Sequence, residues 1–209
     1  NLLHSASDLV DKAEALGRCF GVCTQYAAGL SHYEQLYADQ RGTLGPITSF
    51  KAEMETLARG RRRSPGDVWA DMGSHPLSLL LGWMPSGYIE KASLRPDFSA
   101  RQARVQFDFI DGNNLCRCDI VVRDIDEGVP LRRFGVNGFV VDCQGKNDAD
   151  GVYRIALSHR DREILEQDYM SLLIENFVSA CRMGDSPMVP AALGARNLEL
   201  QLAIRDRAS

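Results

Sequence analysis

The 209-residue sequence has no G-x-G-x-x-G, no C-x-x-C and no long apolar run, and it holds only 4 histidines and 2 tryptophans. Each absence excludes something. Without the glycine fingerprint these residues offer no backbone turn for close approach to a dinucleotide pyrophosphate. The longest apolar run, Pro76 to Trp83 with Ser78 and Gly82 inside it, falls well short of the ~20 residues that cross a bilayer, so no membrane partner is expected. Charge is balanced, with 24 Lys and Arg against 28 Asp and Glu, which argues against a nucleic-acid partner. Asn1 to Ser5 lack the basic region and apolar stretch of a signal peptide, and a cytoplasmic location is the expectation. No internal repeat or low-complexity tract interrupts the chain.

Six cysteines (Cys19, Cys23, Cys116, Cys118, Cys143 and Cys181) are scattered through apolar patterns rather than paired as zinc ligands. They read as reduced core thiols, and no metal site is expected. Cys116 and Cys118 fall two apart on a strand pattern, hence on one face.

With 44% hydrophobic residues the chain can bury a sizeable core. Ser7 to Leu16 repeats apolar residues at helical spacing and stops at Gly17. Arg18 to Tyr26 reads as a brief buried strand, and Ser31-His32-Tyr33-Glu34 as a capping box opening a helix to about Gln40. An extended segment from Ile47 to Leu57 leads into Arg59 to Gly66, a basic loop of the kind that is usually only solvated. A helix is expected from about Asp67 to Trp83. From there the period is two: Tyr88 to Leu94, Arg104 to Ile110, Leu115 to Arg123, Leu131 to Cys143 and Val152 to Ser158 pattern as strands. Short turns such as Asp111 to Asn114 and Gly145 to Asp148 cannot connect parallel neighbours. Two helices, about Glu166 to Met183 and Ala191 to Arg207, close the chain. The expected fold is α+β, an open and mainly antiparallel β-sheet with helices packed on one face.

Asp71-Met72-Gly73-Ser74-His75 stands out, because on one helix Asp71 and His75, four apart, share a face. An imidazole titrates near neutrality, and a carboxylate beside it fixes its tautomer and stabilises its cation, as a general acid/base requires. By itself this spacing more often marks a helix-surface pair or a satisfied core histidine. Its context decides.

Gly66-Asp67-Val68-Trp69-Ala70-Asp71-Met72-Gly73-Ser74-His75 resembles the D-x-G-x-H helix of the Gfo/Idh/MocA oxidoreductases, a family that includes glucose-fructose oxidoreductase and inositol dehydrogenase. Val105-Gln106-Phe107 leading to Asp111-Gly112, Val136 to Asp142, Glu175-Asn176-Phe177 through Pro187 and Val189, and Leu198-Glu199-Leu200 are similar to later motifs of the same family, in the same order. The resemblance covers nearly the whole chain. It implies the C-terminal part of an enzyme that moves hydride between NAD or NADP and a sugar, inositol or related polyol. By the same resemblance His75 exchanges the proton, Asp71 holds a substrate hydroxyl and orients His75, and Tyr26 is the substrate contact in Gln25-Tyr26-Ala27-Ala28-Gly29, where relatives carry an arginine. Ser78 sits where many relatives have aspartate. The family's Glu-Lys-Pro is absent as well.

Residues 1–28 are therefore expected to be the last helix and strand of a Rossmann domain, with the cofactor held mainly outside this chain, and residues 29–209 a substrate-binding and oligomerisation domain. A non-catalytic carbohydrate-binding or dimerisation scaffold, and a subunit served by a separate Rossmann partner, stay open as alternatives. An open sheet covered on one side leaves the other free, so a homo-oligomer, dimer or tetramer, is expected through that face.

Overall fold

A computed structural model describes residues 2–99 and 101–208, and within them one sheet of nine strands carries six helices. α1 (Leu2–Ala15) ends at Gly17, whose φ of +58° only glycine adopts without strain; Arg18 N–H then bonds the Ala13 carbonyl at 2.8 Å. α1 buries none of its residues and lies along α6 (Ala191–Ala208).

Arg18 to Tyr26 does not form the expected strand. A strand needs a ladder, and this segment finds only one bridge, Gly21 to Pro190, flanked by Val22 N–H to Val189 O at 3.0 Å and Ala191 N–H to Phe20 O at 3.1 Å. The chain then tightens into a 3₁₀ turn, Gln25–Gly29, and runs directly into α2 (Leu30–Arg41). Because the helix is entered from a preceding turn, the Ser31/Glu34 capping box has no function and does not form; Glu34 accepts from the Trp83 indole instead, at 3.1 Å.

β1 (Ser49–Leu57) follows, and then the basic loop. The helix expected from Asp67 starts earlier and is interrupted: α3 (Pro65–Met72) and α4 (Ser74–Trp83) meet at Gly73. Ser64 and Asp67 close a reciprocal capping box, with Pro65 at the first helical position, where its missing N–H costs nothing. The interruption has a local cause. Pro76 has no N–H to offer the Met72 carbonyl, and a Cβ at position 73 would lie 2.8 Å from the Trp69 ring.

The strands are β2 (Tyr88–Ile89), β3 (Arg95–Ser99), β4 (Gln102–Asp111), β5 (Asn114–Ile125), β6 (Arg132–Val136), β7 (Phe139–Asn147), β8 (Tyr153–His159) and β9 (Arg162–Gln167). Their order is β2-β4-β5-β1-β6-β7-β8-β9, with β3 also on β4. Every pairing is antiparallel except β1 with β5. Leu131 to Cys143, read as one strand, is a hairpin. Asn137 takes φ +52° and Gly138 +74° at its turn, a pair of left-handed residues that matches the twist of the strands. β3 and β9 were not anticipated; β3 contains Pro96, a residue that demotes a strand pattern, and is tolerated because β3 lies at an edge.

Alternation sets the core. Phe50, Ala52 and Met54 of β1, Val105, Phe107 and Phe109 of β4, Cys116, Cys118, Ile120 and Val122 of β5, and Phe134 and Val136 of β6 are buried on one face beneath the helices. The opposite face carries ion pairs: Arg104 with Asp119 at 2.9 Å, Arg123 with Glu53 and Glu55, and Arg133 with Asp142. α5 (Tyr169–Met183) and α6 complete the helical side, and the Trp69 indole donates to Gln201 O of α6 at 3.1 Å. No helix among the described residues is long and apolar enough to cross a membrane.

Candidate active site

His75 sits in the first turn of α4, half-buried, with Nδ1 sealed from solvent and without a hydrogen-bond partner among the described residues. Nε2 is left as the ring nitrogen that can exchange a proton. The Tyr26 ring, delivered by the 3₁₀ turn, meets the imidazole edge-on with centroids 5.1 Å apart at 83°. Burial lowers the His75 pKa below the ordinary imidazole value, the positive charge of Arg132 lowers it further, and Asp71 pulls weakly the other way. The neutral ring is the resting form at neutral pH.

Asp71 and His75 do not form an ion pair, although both face the junction of α3 and α4. Asp71 ends α3 with its carboxylate on Arg63 Nη1 at 2.7 Å, while Arg63 also clasps the fully buried carboxylate of Asp124 on β5. Asp71 therefore acts on His75 through its field, not through a hydrogen bond. The basic loop is not merely solvated: Arg63 pins it to both α3 and the sheet.

Tyr26 is buried, and its hydroxyl accepts from Arg132 Nε at 2.8 Å. Burial raises the phenol's pKa, with Arg132 opposing, so the hydroxyl stays protonated. Ser78 reaches the start of the 3₁₀ turn. The Ser78 hydroxyl donates to Thr24 Oγ1 at 2.6 Å, both groups buried, and so ties α4 to the residue that opens the 3₁₀ turn. Beside Tyr26 opens a cleft of about 310 Å³, lined by Gln25, Tyr26, Arg132, Gln144, Asp168 and Tyr169 among others. A larger surface groove elsewhere, about 700 Å³ between the β2 region and α6, shares none of these groups.

Arg132 and Arg63 escaped sequence reasoning. Both left a signal. Arg132 stands in phase with Phe134 and Val136, on the face of β6 that should be apolar, and Arg63 ends a run of three arginines just before a helix cap.

The N-terminus of α3 is filled by its own Asp67, and Gly60, in the loop between β1 and α3, takes a positive φ with open space around it.

No family model matches the chain, and no curated protein matches it by sequence. Solved structures do match in shape. UDP-N-acetylglucosamine 3-dehydrogenase GnnA from Acidithiobacillus ferrooxidans superposes with a TM-score of 0.69 at 19% identity, covering 97% of this chain and 66% of that one. The inositol dehydrogenase homolog complexed with NAD+ from Azotobacter vinelandii gives 0.66 at 14% identity, over 99% of this chain and 67% of that one. The fold is that of the Gfo/Idh/MocA C-terminal domain. The chain spans 66% to 67% of the length of those two proteins.

Proposed function

We propose that this chain is the substrate-side part of a nicotinamide-dependent oxidoreductase acting on a sugar, inositol or related polyol, with residues 1–28 as the end of a Rossmann domain. The observation that carries this reading is the placement of His75: a half-buried imidazole with one nitrogen sealed, held against a tyrosine beside a cleft, in a fold shared with dehydrogenases. The nicotinamide supplies the hydride chemistry. This chain supplies position and one proton carrier.

In this reading the neutral His75 takes the proton of the reacting hydroxyl at Nε2, or returns it in the reductive direction, with Tyr26 fixing the ring plane. Asp71 binds a substrate hydroxyl and offsets part of the cost of the charged imidazole through space. Arg63 holds that carboxylate in place. The scaffold alternative finds less support, because a scaffold has no physical need to keep a histidine half-buried with an unpartnered ring nitrogen.

In the complete protein, His75→Ala is expected to lower turnover at least a hundredfold while leaving nicotinamide binding unchanged; turnover near that of the parent sinks the assignment. The 209-residue chain alone should show no saturable nicotinamide binding by calorimetry. We further propose self-association through the ion-paired outer face of the sheet, which sedimentation of an Arg133→Glu variant tests: an unchanged molar mass removes that face from the interface.

A further inference from the structure

Arg132 is a cation in an apolar register position. It shares its face of β6 with the buried Phe134 and Val136, and it is only partly exposed. Two of the five guanidinium N–H groups are used, Nε on the Tyr26 hydroxyl at 2.8 Å and Nη1 on the Leu131 carbonyl at 2.9 Å. No carboxylate stands within ion-pair distance of it among the described residues. Glu55, the nearest acidic side chain on β1, is engaged by Arg123 at 2.6 Å and by the Leu131 N–H at 2.8 Å. Glu55 feels the Arg132 charge only through space, while burial keeps the Tyr26 phenol protonated and holds the Cys143 thiol up at about 12. A half-buried guanidinium without a direct ion pair is costly unless something charged completes it.

Tyr169 also lines the cleft that Arg132 lines, with its hydroxyl sealed from solvent. Gln25 and Gln144 add amides. Asp168 lines the same cleft, with its carboxylate 3.4 Å from the Ser171 hydroxyl, and makes the cleft's charge lopsided, not uniformly basic. About 310 Å³ is at the small end for ligand pockets, which start near ~300 Å³, and so suits a monosaccharide more than a nucleotide sugar.

We infer that this cleft takes a sugar acid, whose carboxylate lies against the free edge of the Arg132 guanidinium while its hydroxyls meet Gln25 and Gln144. The inference rests on the oxidoreductase reading for its orientation, since Tyr26 joins the cleft to His75. A planar carboxylate matches the remaining N–H groups of a guanidinium side by side, which an alcohol cannot do. Binding also couples to the proton carrier. Burial and then the Arg132 charge hold the His75 pKa down, and a carboxylate on Arg132 offsets that charge. The imidazole becomes more basic when an acidic sugar is in place.

The test titrates the 209-residue chain with D-glucuronate, its neutral methyl ester, D-glucose and D-glucose 6-phosphate by calorimetry, and follows the imidazole resonances by NMR. Glucuronate is expected to bind at least tenfold tighter than the ester or glucose, to lose that preference in Arg132→Gln and keep part of it in Arg132→Lys, and to raise the His75 pKa. Equal affinity for acid and ester, no glucuronate binding, or a preference untouched by either folded variant overturns the inference. An Arg132-dependent preference for the phosphate ester assigns a different anion and overturns it as well. Should glucuronate bind as expected while His75→Ala keeps full turnover in the complete protein, the oxidoreductase mechanism falls and the sugar-acid site stands.

Discussion

Tyr26 holds His75 from the side: the edge of one ring meets the face of the other at 5.1 Å and 83°, and the far end of the tyrosine is fixed by Arg132. The contact joins the 3₁₀ turn, α4 and β6, three elements distant in sequence, at one imidazole. Tyr26→Phe keeps the ring contact and removes one hydrogen bond, so a stability loss of about 1 kcal/mol is expected. Tyr26→Ala also empties a buried volume and should cost about 3 to 5 kcal/mol. Urea denaturation of both variants measures the difference; equal losses would mean that the ring contact contributes nothing.

His75 makes stability depend on pH. Its folded pKa is depressed, whereas the unfolded chain titrates near the ordinary ~6.5 of imidazole. Above that pH both states are neutral at this site, and no penalty exists. As pH falls below it, the unfolded state takes up the proton first, so stability declines until the folded pKa is reached, then levels off. A His75→Phe series in urea between pH 5 and 7.5 should show a flatter profile than the parent over that window. Superimposable profiles would remove His75 as the titrating group.

Among the described residues Arg63 alone pairs with the Asp124 carboxylate, whose side chain has no solvent exposure. Arg63→Ala leaves a buried carboxylate unpaired and is expected to cost about 3 to 5 kcal/mol, much of it recovered when Asp124→Asn is added. The same single variant frees Asp71, so in the complete protein the Michaelis constant should rise more than turnover falls. Loss of turnover with no change in Michaelis constant contradicts a positioning role.

Asn137 turns the β6–β7 hairpin at φ +52° while its carboxamide accepts from Thr48 N–H at 2.8 Å and donates to Pro46 O at 3.0 Å. The hairpin is thereby tied to the chain entering β1. Asn137→Ala loses both the bonds and the tolerance for positive φ, and should cost about 2 kcal/mol or more. Asn137→Gly keeps the backbone freedom, so it should lie between alanine and the parent in thermal denaturation. Alanine and glycine variants of equal stability would show that the backbone conformation contributes nothing.

Much of the fold was legible along the chain. The alternation of Val105, Phe107 and Phe109, and of Cys116, Cys118, Ile120 and Val122, states which face of each strand is buried, because side chains two apart share a face whatever the partner strand is. Asp111-Gly112 and Gly17 mark a turn and a helix end, since each glycine takes a conformation that other residues avoid. Asp71 and His75 were legible as residue types at a spacing, and the family motif drew attention to them.

What the sequence could not state is who meets whom. Arg18 to Tyr26 has strand composition but lacks strand partners among the described residues, and a ladder depends on a neighbour, not on composition. The capping box formed at Ser64 and not at Ser31, because only one of those helices is entered from an extended residue. Asp71 turned to Arg63, and Arg132, unremarkable in the sequence beside Arg133, came to stand between Tyr26 and a cleft, its charge reaching His75. Local propensity and period depend on covalent chemistry carried by each residue, so the sequence determined the elements and their buried faces. The electrostatics of the site depend on distances between residues far apart in the chain, and only the tertiary structure decided those.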